Sequence, residues 1–167
     1  MAQARYVAAL GKALAGTSHP RVLMGGGDLA GNAGPFYSPA SFRAIMLPAI
    51  KHVTDELTPL GLHIVFRTDG DLWPLTDMIF LDAAWPGYGE VDRLCGMTVG
   101  ALRQRYPELV LWGNMASSHL KEMAAEEVAA ESRRCVAESG GTGYFHGGSN
   151  AILMGTPVAN VRAMFSM

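Results

Sequence analysis

The sequence predicts an α/β fold in which about five strand–helix units build a parallel sheet. Short apolar runs alternate along the chain with longer segments whose apolar residues recur at helical spacing. Nearly every apolar run leads into glycine or a polar residue, which is typical of a strand that ends in a loop. Because parallel neighbours need a long crossover connection, this alternation favours a parallel sheet over a set of hairpins.

The first half of the chain is predicted to hold two helices and two strands. Residues 6–15 carry an apolar stripe at helical spacing, and residues 21–24 form a short apolar strand that enters a glycine run. A second helix is predicted to begin after Ser38, which can cap it, and to bend at Pro48, whose nitrogen cannot donate to the preceding turn. Residues 62–66 form the next buried strand.

The second half repeats this rhythm. Residues 124–139 are the clearest amphipathic helix, with charged residues on the side opposite the apolar stripe. The predicted helices are 71–80, 97–106, 124–139 and 157–165, and the predicted strands are 87–91, 109–112 and 143–146.

Length and composition narrow the class of protein. With 167 residues, 49% of them apolar and 17% charged, the chain is expected to be one globular domain over residues 1–167, in which 1–20 are a leading helix and linker. A net charge of −2 predicts neither nucleic-acid nor anionic-lipid binding, and no apolar run approaches the roughly 18 residues of a membrane span. Because only two cysteines are present, Cys95 and Cys135, we expect a cytoplasmic location.

Polar side chains follow the end of nearly every predicted strand. In parallel α/β folds the active site lies at the carboxyl ends of the strands, so these side chains are expected to converge on one pocket. They are Asp28 after the first strand, Arg67, Asp69 and Asp71 after the second, Glu90 and Asp92 after the third, Asn114 after the fourth, and His146, Ser149 and Asn150 after the fifth.

Each of these residues also has a structural interpretation. Asp28 and Asp69 stand in glycine-containing turns, where an aspartate equally well binds turn amides. Arg67 suits bidentate binding of a substrate carboxylate, but it could equally pair with Asp69 or Glu90. His146 alternates with an aromatic residue in a strand, which is more typical of a hydrogen-bonded core histidine.

One familiar nucleotide motif is excluded by its context. Residues 25–30 match G-x-G-x-x-A after a strand, but Asn32 to Pro35 come next instead of a helix, which argues against a dinucleotide site. The phosphate-binding loop, the H-E-x-x-H zinc motif and the G-x-S-x-G elbow do not occur in the sequence.

Several short motifs succeed one another from about Arg21 to the C terminus. They are Gly-Asp at 27–28, GPFYSP at 34–39, Leu-Pro at 47–48, FRTDG at 66–70, LTD at 75–77, LWGN at 111–114, GGSNAI at 147–152 and TPVANV at 156–161. In their order and spacing they resemble the uroporphyrinogen decarboxylase family. Each motif alone is a weak signal, and the strength of the resemblance lies in the series.

The resemblance implies a fold and an activity. The family is a (β/α)8 barrel, which needs about 250 residues, so this chain resembles a partial (β/α)8 TIM barrel of about five C-terminal βα units. The family includes cofactor-free decarboxylases of porphyrinogen acetate side chains and zinc-dependent methyltransferases that move a methyl group from a cobamide to a thiol. The resemblance therefore implies a lyase that removes CO2 from a carboxylate-bearing tetrapyrrole or other cyclic substrate, without a cofactor.

The chain departs from both branches of the family. The serine that succeeds the turn aspartate of the decarboxylases is Leu29 here, their histidine near the last strand falls on Asn150, and the polar residues of their N-terminal half have no counterpart. The His-x-Cys pair and later cysteine that hold zinc in the methyltransferases fall on Arg67, Asp69 and Asn150. The resemblance therefore implies no metal.

These considerations give a set of expected roles and two alternatives. Asp28 and Asp69 are expected to be catalytic, positioning donors or moving a proton. The expected partners are a small-molecule carboxylate and either a second copy or the missing N-terminal half of the barrel. The alternatives are a corrinoid-linked methyltransferase and an inactive half-barrel. The residues expected to bind substrate are Arg67, Glu90, Asn114, His146, Ser149 and Asn150.

Overall fold

The computed structural model describes residues 1–166, in which strands and helices alternate. The strands are β1 (Val22–Gly26), β2 (Ala30–Gly31), β3 (Gly34–Pro35), β4 (His63–Arg67), β5 (Gly87–Val91), β6 (Val110–Met115) and β7 (Tyr144–Gly148). The helices are α1 (Ala2–Ala15), α2 (Pro39–Ser41), α3 (Leu47–Leu57), α4 (Val99–Arg105), α5 (Ser117–Glu122), α6 (Ala125–Glu138) and α7 (Val158–Phe165). No helix in this part of the chain is long and apolar enough to cross a bilayer.

Five strands form one parallel sheet in the order β1-β4-β5-β6-β7. Each strand pairs with the next long strand of the chain, and helices lie between most of them, which is the arrangement of consecutive units in a (β/α)8 barrel. Within residues 1–166, β1 and β7 each pair along one edge only. The prediction of a partial barrel with five units is confirmed.

The two faces of this sheet differ in burial. Ile64, Phe66 and Tyr88 are fully buried under the helices, where Phe66 meets Trp85 edge to face at a centroid distance of 5.0 Å. Burying side chains of this size contributes about 2 kcal/mol each to the hydrophobic stabilisation. The outer, helix-covered face is therefore the core of the molecule.

The inner face is much more open. Val22 is 51% exposed and Phe145 is 66% exposed. His63, which the sequence places in a buried strand, pairs in register with Val22 and is exposed on this face. One transverse row of residues in register, each paired to the next, runs across the sheet: Gly26, Arg67, Gly89, Trp112 and Phe145. Arg67, the last residue of β4, belongs to this row and therefore lies on the inner face of the sheet.

The helix predicted after Ser38 begins there, because the Ser38 side chain accepts a hydrogen bond from the Ser41 amide at 3.1 Å. It continues as a π-helical segment over Phe42–Met46 before α3. Pro48 lies in the first turn of α3, where its missing N–H leaves no hydrogen bond unmade. The proline therefore marks a junction rather than a bend inside one helix.

The single helix predicted over residues 71–80 is wrong. The chain forms a 3-10 turn over Trp73–Leu75 and a π-helical segment over Met78–Asp82. Asp71 caps the turn by accepting from the Trp73 amide at 3.1 Å, and Pro74, which has no N–H to donate, prevents a regular helix from continuing through the turn. The short helix α5 is a second element that the sequence pattern does not reveal.

A single arginine ties together the amino ends of β6 and β7. The Arg103 guanidinium donates hydrogen bonds to five backbone carbonyl oxygens at 2.5–3.2 Å. Two of these precede the strands directly, at Leu109 and Gly143, and the others belong to Pro107, Ser139 and Thr142. This end of a barrel contributes stability, while the opposite end carries the chemistry.

Candidate active site

Three of the predicted site residues meet at the carboxyl end of the sheet. Asp28, Arg67 and Glu90 line a cleft of about 190 Å³ between the ends of β1, β4 and β5. Met24 and the glycines at 25–27 complete its lining. These three residues therefore lie together at the carboxyl ends of their strands, as the parallel sheet predicts.

Bare backbone forms one wall of the cleft. Gly26 has a φ of +130°, and a Cβ placed on it would lie 2.3 Å from the Arg67 carbonyl oxygen. The Gly27 amide donates to that same oxygen at 3.0 Å, while a Cβ on Gly27 would meet nothing within 4 Å. Glycine at 26 is required because β1 and β4 approach closely, and Gly27 leaves room beside Arg67. The sequence pattern does not reveal this wall, because the glycine run indicates a strand end and belongs to two motifs, and nothing in it signals a close approach of two strands.

Arg67 takes Glu90 as its partner rather than Asp69. The Arg67 Nε donates to Glu90 Oε1 at 3.1 Å, and Nη2 donates to the same oxygen. The pair is asymmetric, because the Arg67 side chain is 48% exposed and that of Glu90 only 14%. Within residues 1–166, Arg67 Nη1 makes no hydrogen bond, and Arg67 is one of the residues that line the cleft.

A break in the strand aims Glu90 at Arg67. The register of β5 against β6 shifts between Gly89 and Val91, and Glu90 there has a φ of +64°. A bulge of this kind redirects a side chain, and a left-handed conformation is strained for glutamate. Strain of this sort is concentrated at functional sites.

Asp69 lies in the loop after β4, two residues beyond Arg67, and is held by Asn150. The Asn150 Nδ2 donates to Asp69 Oδ2 at 2.7 Å, which joins the loop after β7 to the loop after β4. Thr68, which stands between Arg67 and Asp69 in the sequence, is fully buried, and its hydroxyl accepts a hydrogen bond from the Leu29 amide at 3.0 Å. The structure therefore brings a second pair of predicted residues together.

Asn114 requires a correction. It is fully buried, and its Nδ2 donates to the carbonyls of Val91 at 3.0 Å and Met97 at 2.8 Å. Its Oδ1 accepts from the Val99 amide and from Arg93, both at 3.3 Å. Every polar atom of the amide is satisfied internally, so Asn114 fastens β6 to the loop before α4 and presents nothing to a substrate.

His146 lies on the face of β7 opposite the exposed Phe145, and a role in binding substrate stays a prediction. Phe145 belongs to the inner row, so His146, one residue further, faces the helices. Its Nδ1 lies 2.9 Å from the Tyr144 hydroxyl, and its ring meets that of Phe165 at a centroid distance of 6.2 Å. Burial lowers the pKa of His146, which favours the neutral ring. The structural interpretation of this histidine therefore fits its surroundings.

Ser149 is buried, and its backbone N–H donates to the Met115 carbonyl at 2.7 Å, extending the pairing of β7 with β6. A role for Ser149 in binding substrate stays a prediction.

Asp28 is exposed at the edge of the cleft. It also borders a larger cavity of about 330 Å³ that lies between α1, β1 and α3 and is lined mainly by apolar side chains such as Val53 and Trp85. Its carboxylate therefore stands between a polar and an apolar space. A catalytic role for Asp28 stays a prediction.

A hairpin that the sequence pattern does not reveal covers part of this end. Strands β2 and β3 pair antiparallel, and Asn32 in the turn between them lies beside Cys95, whose thiol is 3.5 Å from Asn32 Oδ1 and 3.2 Å from Asp92 Oδ2. Burial, together with the hydrogen bond to Asp92, raises the pKa of the Cys95 thiol to about 12. The thiol therefore stays protonated at neutral pH.

The donor set of this end does not fit a thiolate zinc site. No group of three or more His, Cys, Asp or Glu side chains that could hold a metal ion occurs among residues 1–166. At the three positions related to methyltransferase zinc ligands, the guanidinium of Arg67 is bound to Glu90, and Asp69 and Asn150 are bound to each other.

Known proteins share both the sequence pattern and the fold of this chain. The family model described as uroporphyrinogen decarboxylase (URO-D) matches residues 29–167. The chain belongs to the uroporphyrinogen decarboxylase family. No curated protein matches it in sequence.

Among solved structures, a methyltransferase from Methanosarcina mazei is similar to this URO-D family member, with a TM-score of 0.76 and 18% sequence identity. The match covers 96% of this chain and 45% of the methyltransferase, so the chain spans less than half the length of that protein. At this identity the likeness concerns the fold, and it agrees with a partial barrel.

Proposed function

We propose that this chain carries part of the active site of a decarboxylase that removes CO2 from a carboxylate-bearing cyclic substrate, such as a tetrapyrrole. The observation that supports it is the cleft that Arg67 lines together with Asp28, where Nη1 of the guanidinium makes no hydrogen bond within residues 1–166, with Asp69 in the loop after β4. A guanidinium fork matches a carboxylate in shape and charge. Family membership supports the same chemistry.

The chemistry assigns different tasks to the cation and the acids. In the reaction the bond between the carboxyl carbon and the side-chain carbon breaks, its electron pair stays on the side-chain carbon, and a proton replaces CO2. An arginine that bound the departing carboxylate would stabilise the ground state and slow the reaction. Arg67 therefore anchors a carboxylate that the substrate retains.

The acids hold and move the proton. Asp28, Asp69, Asp71 and Asp92 have no ion-pair partner within residues 1–166 at this end, but Asp71 and Asp92 accept hydrogen bonds from the Trp73 and Leu94 amides and cap the turns there. Asp69 and Asp28 can instead hold a substrate N–H or the proton that replaces CO2. Glu90 has a different role, because it accepts two hydrogen bonds from the Arg67 guanidinium and so holds that group in place.

A methyltransferase is the second candidate, supported by the fold of the Methanosarcina mazei protein. The donor set at Arg67, Asp69 and Asn150 would make it a methyltransferase without thiolate zinc ligands. A corrinoid protein would then be its partner.

The site needs further strands around it in either case. The exposed inner face, with Val22 and Phe145, and the single-sided pairing of β1 and β7 leave apolar area and backbone groups open. We propose that the N-terminal half of a barrel, or a second copy of the chain, covers them. An inert half-barrel is the outcome if neither is supplied.

Two assays on the same preparation test this function. Uroporphyrinogen III is incubated with the protein, and the carboxyl groups of the oxidised products are counted by chromatography and mass spectrometry. Methylcobalamin with a thiol is supplied in parallel, and loss of its absorbance is monitored. We expect products with fewer carboxyl groups and stable methylcobalamin. Demethylation of the cobalamin without decarboxylation would favour the methyltransferase instead.

A further inference from the structure

One hydrogen bond crosses the mouth of the sheet. Asn150 comes after β7 and Asp69 after β4, and two strands, β5 and β6, lie between them in the sheet. The Asn150 Nδ2 nevertheless reaches Asp69 Oδ2 at 2.7 Å. The Asp69 side chain, in the loop after β4, is therefore held by a residue in the loop after β7, three strands along the sheet.

The direction of this bond is determined by a second contact. Asn150 Oδ1 accepts a hydrogen bond from the backbone N–H of Ala151 at 2.7 Å. Rotating the amide by half a turn would place its NH2 against that N–H and its oxygen against the carboxylate of Asp69. The amide is therefore a donor to Asp69. Because Asn150 is exposed, these two bonds, rather than packing, hold its side chain.

The backbone of Asp69 is held separately from its carboxylate. The next residue, Gly70, has a φ of +81°, and a Cβ on it would lie 2.8 Å from the carbonyl of Ala30. The Thr68 hydroxyl donates to the Asp69 carbonyl at 3.2 Å. Within residues 1–166, Asn150 is the only side chain that binds the Asp69 carboxylate, since Arg67 is turned to Glu90.

We propose that Asn150 is a positioning residue that selects which oxygen of Asp69 acts. By occupying Oδ2, the amide leaves Oδ1 to hold the substrate N–H or the moving proton, and it fixes the carboxylate plane without neutralising its charge. This inference rests on the decarboxylase function proposed above. The expectation that Asn150 binds substrate stays a prediction, because the second N–H of the exposed amide has no hydrogen-bond partner within residues 1–166.

The kinetic consequence is a separation of turnover from binding. Misplacing a reacting group by about 1 Å costs up to about 100-fold in rate. We expect Asn150→Ala to lower kcat for uroporphyrinogen III by about 10- to 100-fold, with KM changed less than about twofold, because Arg67 is untouched. Ile152→Ala, which alters an exposed side chain of the same loop, is the matched control and should keep wild-type kcat.

The variant Asn150→Asp is expected to change the pH dependence of activity, which a simple loss of folded protein would not do. Asn150→Asp has nearly the same shape but places a second carboxylate against Asp69, where two adjacent carboxylates resist joint ionisation. Its activity relative to wild type should rise as the pH falls, because a shared proton restores a donor. A constant ratio across the pH range, or wild-type kcat in Asn150→Ala, would overturn the positioning role.

A measurement without turnover separates this inference from the proposed function. In a ¹H–¹⁵N spectrum of the full chain, the two Asn150 side-chain N–H signals should be well separated and should move together in Asp69→Ala but not in Asp28→Ala. Unmoved signals in Asp69→Ala would refute the bond itself. Moved signals in a protein that never decarboxylates uroporphyrinogen III would refute the reaction and leave the bond in place.

Discussion

Replacing Arg103 by methionine should destabilise the fold without touching the cleft. Arg103 donates to five carbonyl oxygens around the amino ends of β6 and β7, at the end of the sheet opposite Arg67. Methionine keeps much of the apolar stem and removes all five donors. The carbonyls of Leu109 and Gly143 then lose the guanidinium that donates to both, although the Gly143 carbonyl still accepts from the Leu111 amide at 2.8 Å.

The size of the effect can be worked out from these bonds. A hydrogen bond from a charged donor contributes about 1.5–3 kcal/mol when it is buried. The Arg103 side chain is partly exposed, so water replaces part of each bond, and about 0.5–1 kcal/mol for each is more realistic. Five bonds give about 2.5–5 kcal/mol, which for a chain of this size corresponds to a fall in Tm of about 5–20 °C.

Urea unfolding monitored by circular dichroism measures this difference. Arg21→Met is the matched control, because Arg21 makes one exposed side-chain hydrogen bond, to the Leu60 carbonyl at 2.9 Å, and should cost about 0.5 kcal/mol. Binding of a polycarboxylate porphyrin should be equal in both variants at a temperature where both are folded. A loss in Arg103→Met within about 0.5 kcal/mol of the control would show that the five carbonyl contacts of Arg103 add little to stability.

Three further changes test individual contacts. Asn114→Leu should lower the free energy of unfolding by about 3 kcal/mol in urea, because it leaves buried carbonyl and N–H groups unpaired. His146→Phe should flatten the fall in Tm between pH 7 and 5: burial lowers the pKa of this histidine in the fold, so its contribution is full above the unfolded value of about 6.5 and is lost as the pH falls below it. Gly70→Ala should cost more than Gly140→Ala by at least about 1 kcal/mol, since both have a positive φ but only Gly70 would place its Cβ against backbone.

Each of these has a result that contradicts it. A neutral Asn114→Leu would mean that the buried amide is not needed where it lies. An unchanged pH dependence in His146→Phe would place the acid sensitivity elsewhere. Equal costs at Gly70 and Gly140 would show that the loop beside Asp69 yields easily, and it would weaken the case for Asp69 positioning.

The sheet could be predicted from the sequence because each strand is a short apolar run between turn signals. Val65 and Phe66 lie in such a run, and they occupy β4 as expected. The segment after Asp71 could not be predicted in detail. Its apolar spacing fits a helix, but Pro74 and the Asp71 cap favour a 3-10 turn and then a π-helical segment, and this choice depends on packing.

From the sequence one can predict which residues lie at the carboxyl ends of the strands, but not which side chains they contact there. Parallel strands deliver Asp28, Arg67 and Glu90 to one edge whatever their side chains do. The partner of Arg67 depends on the bulge at Glu90, a conformation that glutamate does not favour and the sequence does not signal. His146 was ambiguous because both faces of its strand carry apolar side chains, so alternation alone does not tell which one meets the helices.

We propose that this end of the sheet removes CO2 with Asp69 in the reaction. The test measures CO2 release from uroporphyrinogen III that carries ¹³C in its side-chain carboxyl groups. The proteins compared are wild type, Asp69→Asn and the control Asp55→Asn. In the wild type, the exposed Asp55 carboxylate pairs with Lys51 on α3. Labelled CO2 should form with wild type and Asp55→Asn and fall by at least about 100-fold in Asp69→Asn, with Tm within about 2 °C of wild type. Equal release by Asp69→Asn and wild type would contradict a role for Asp69 in the reaction.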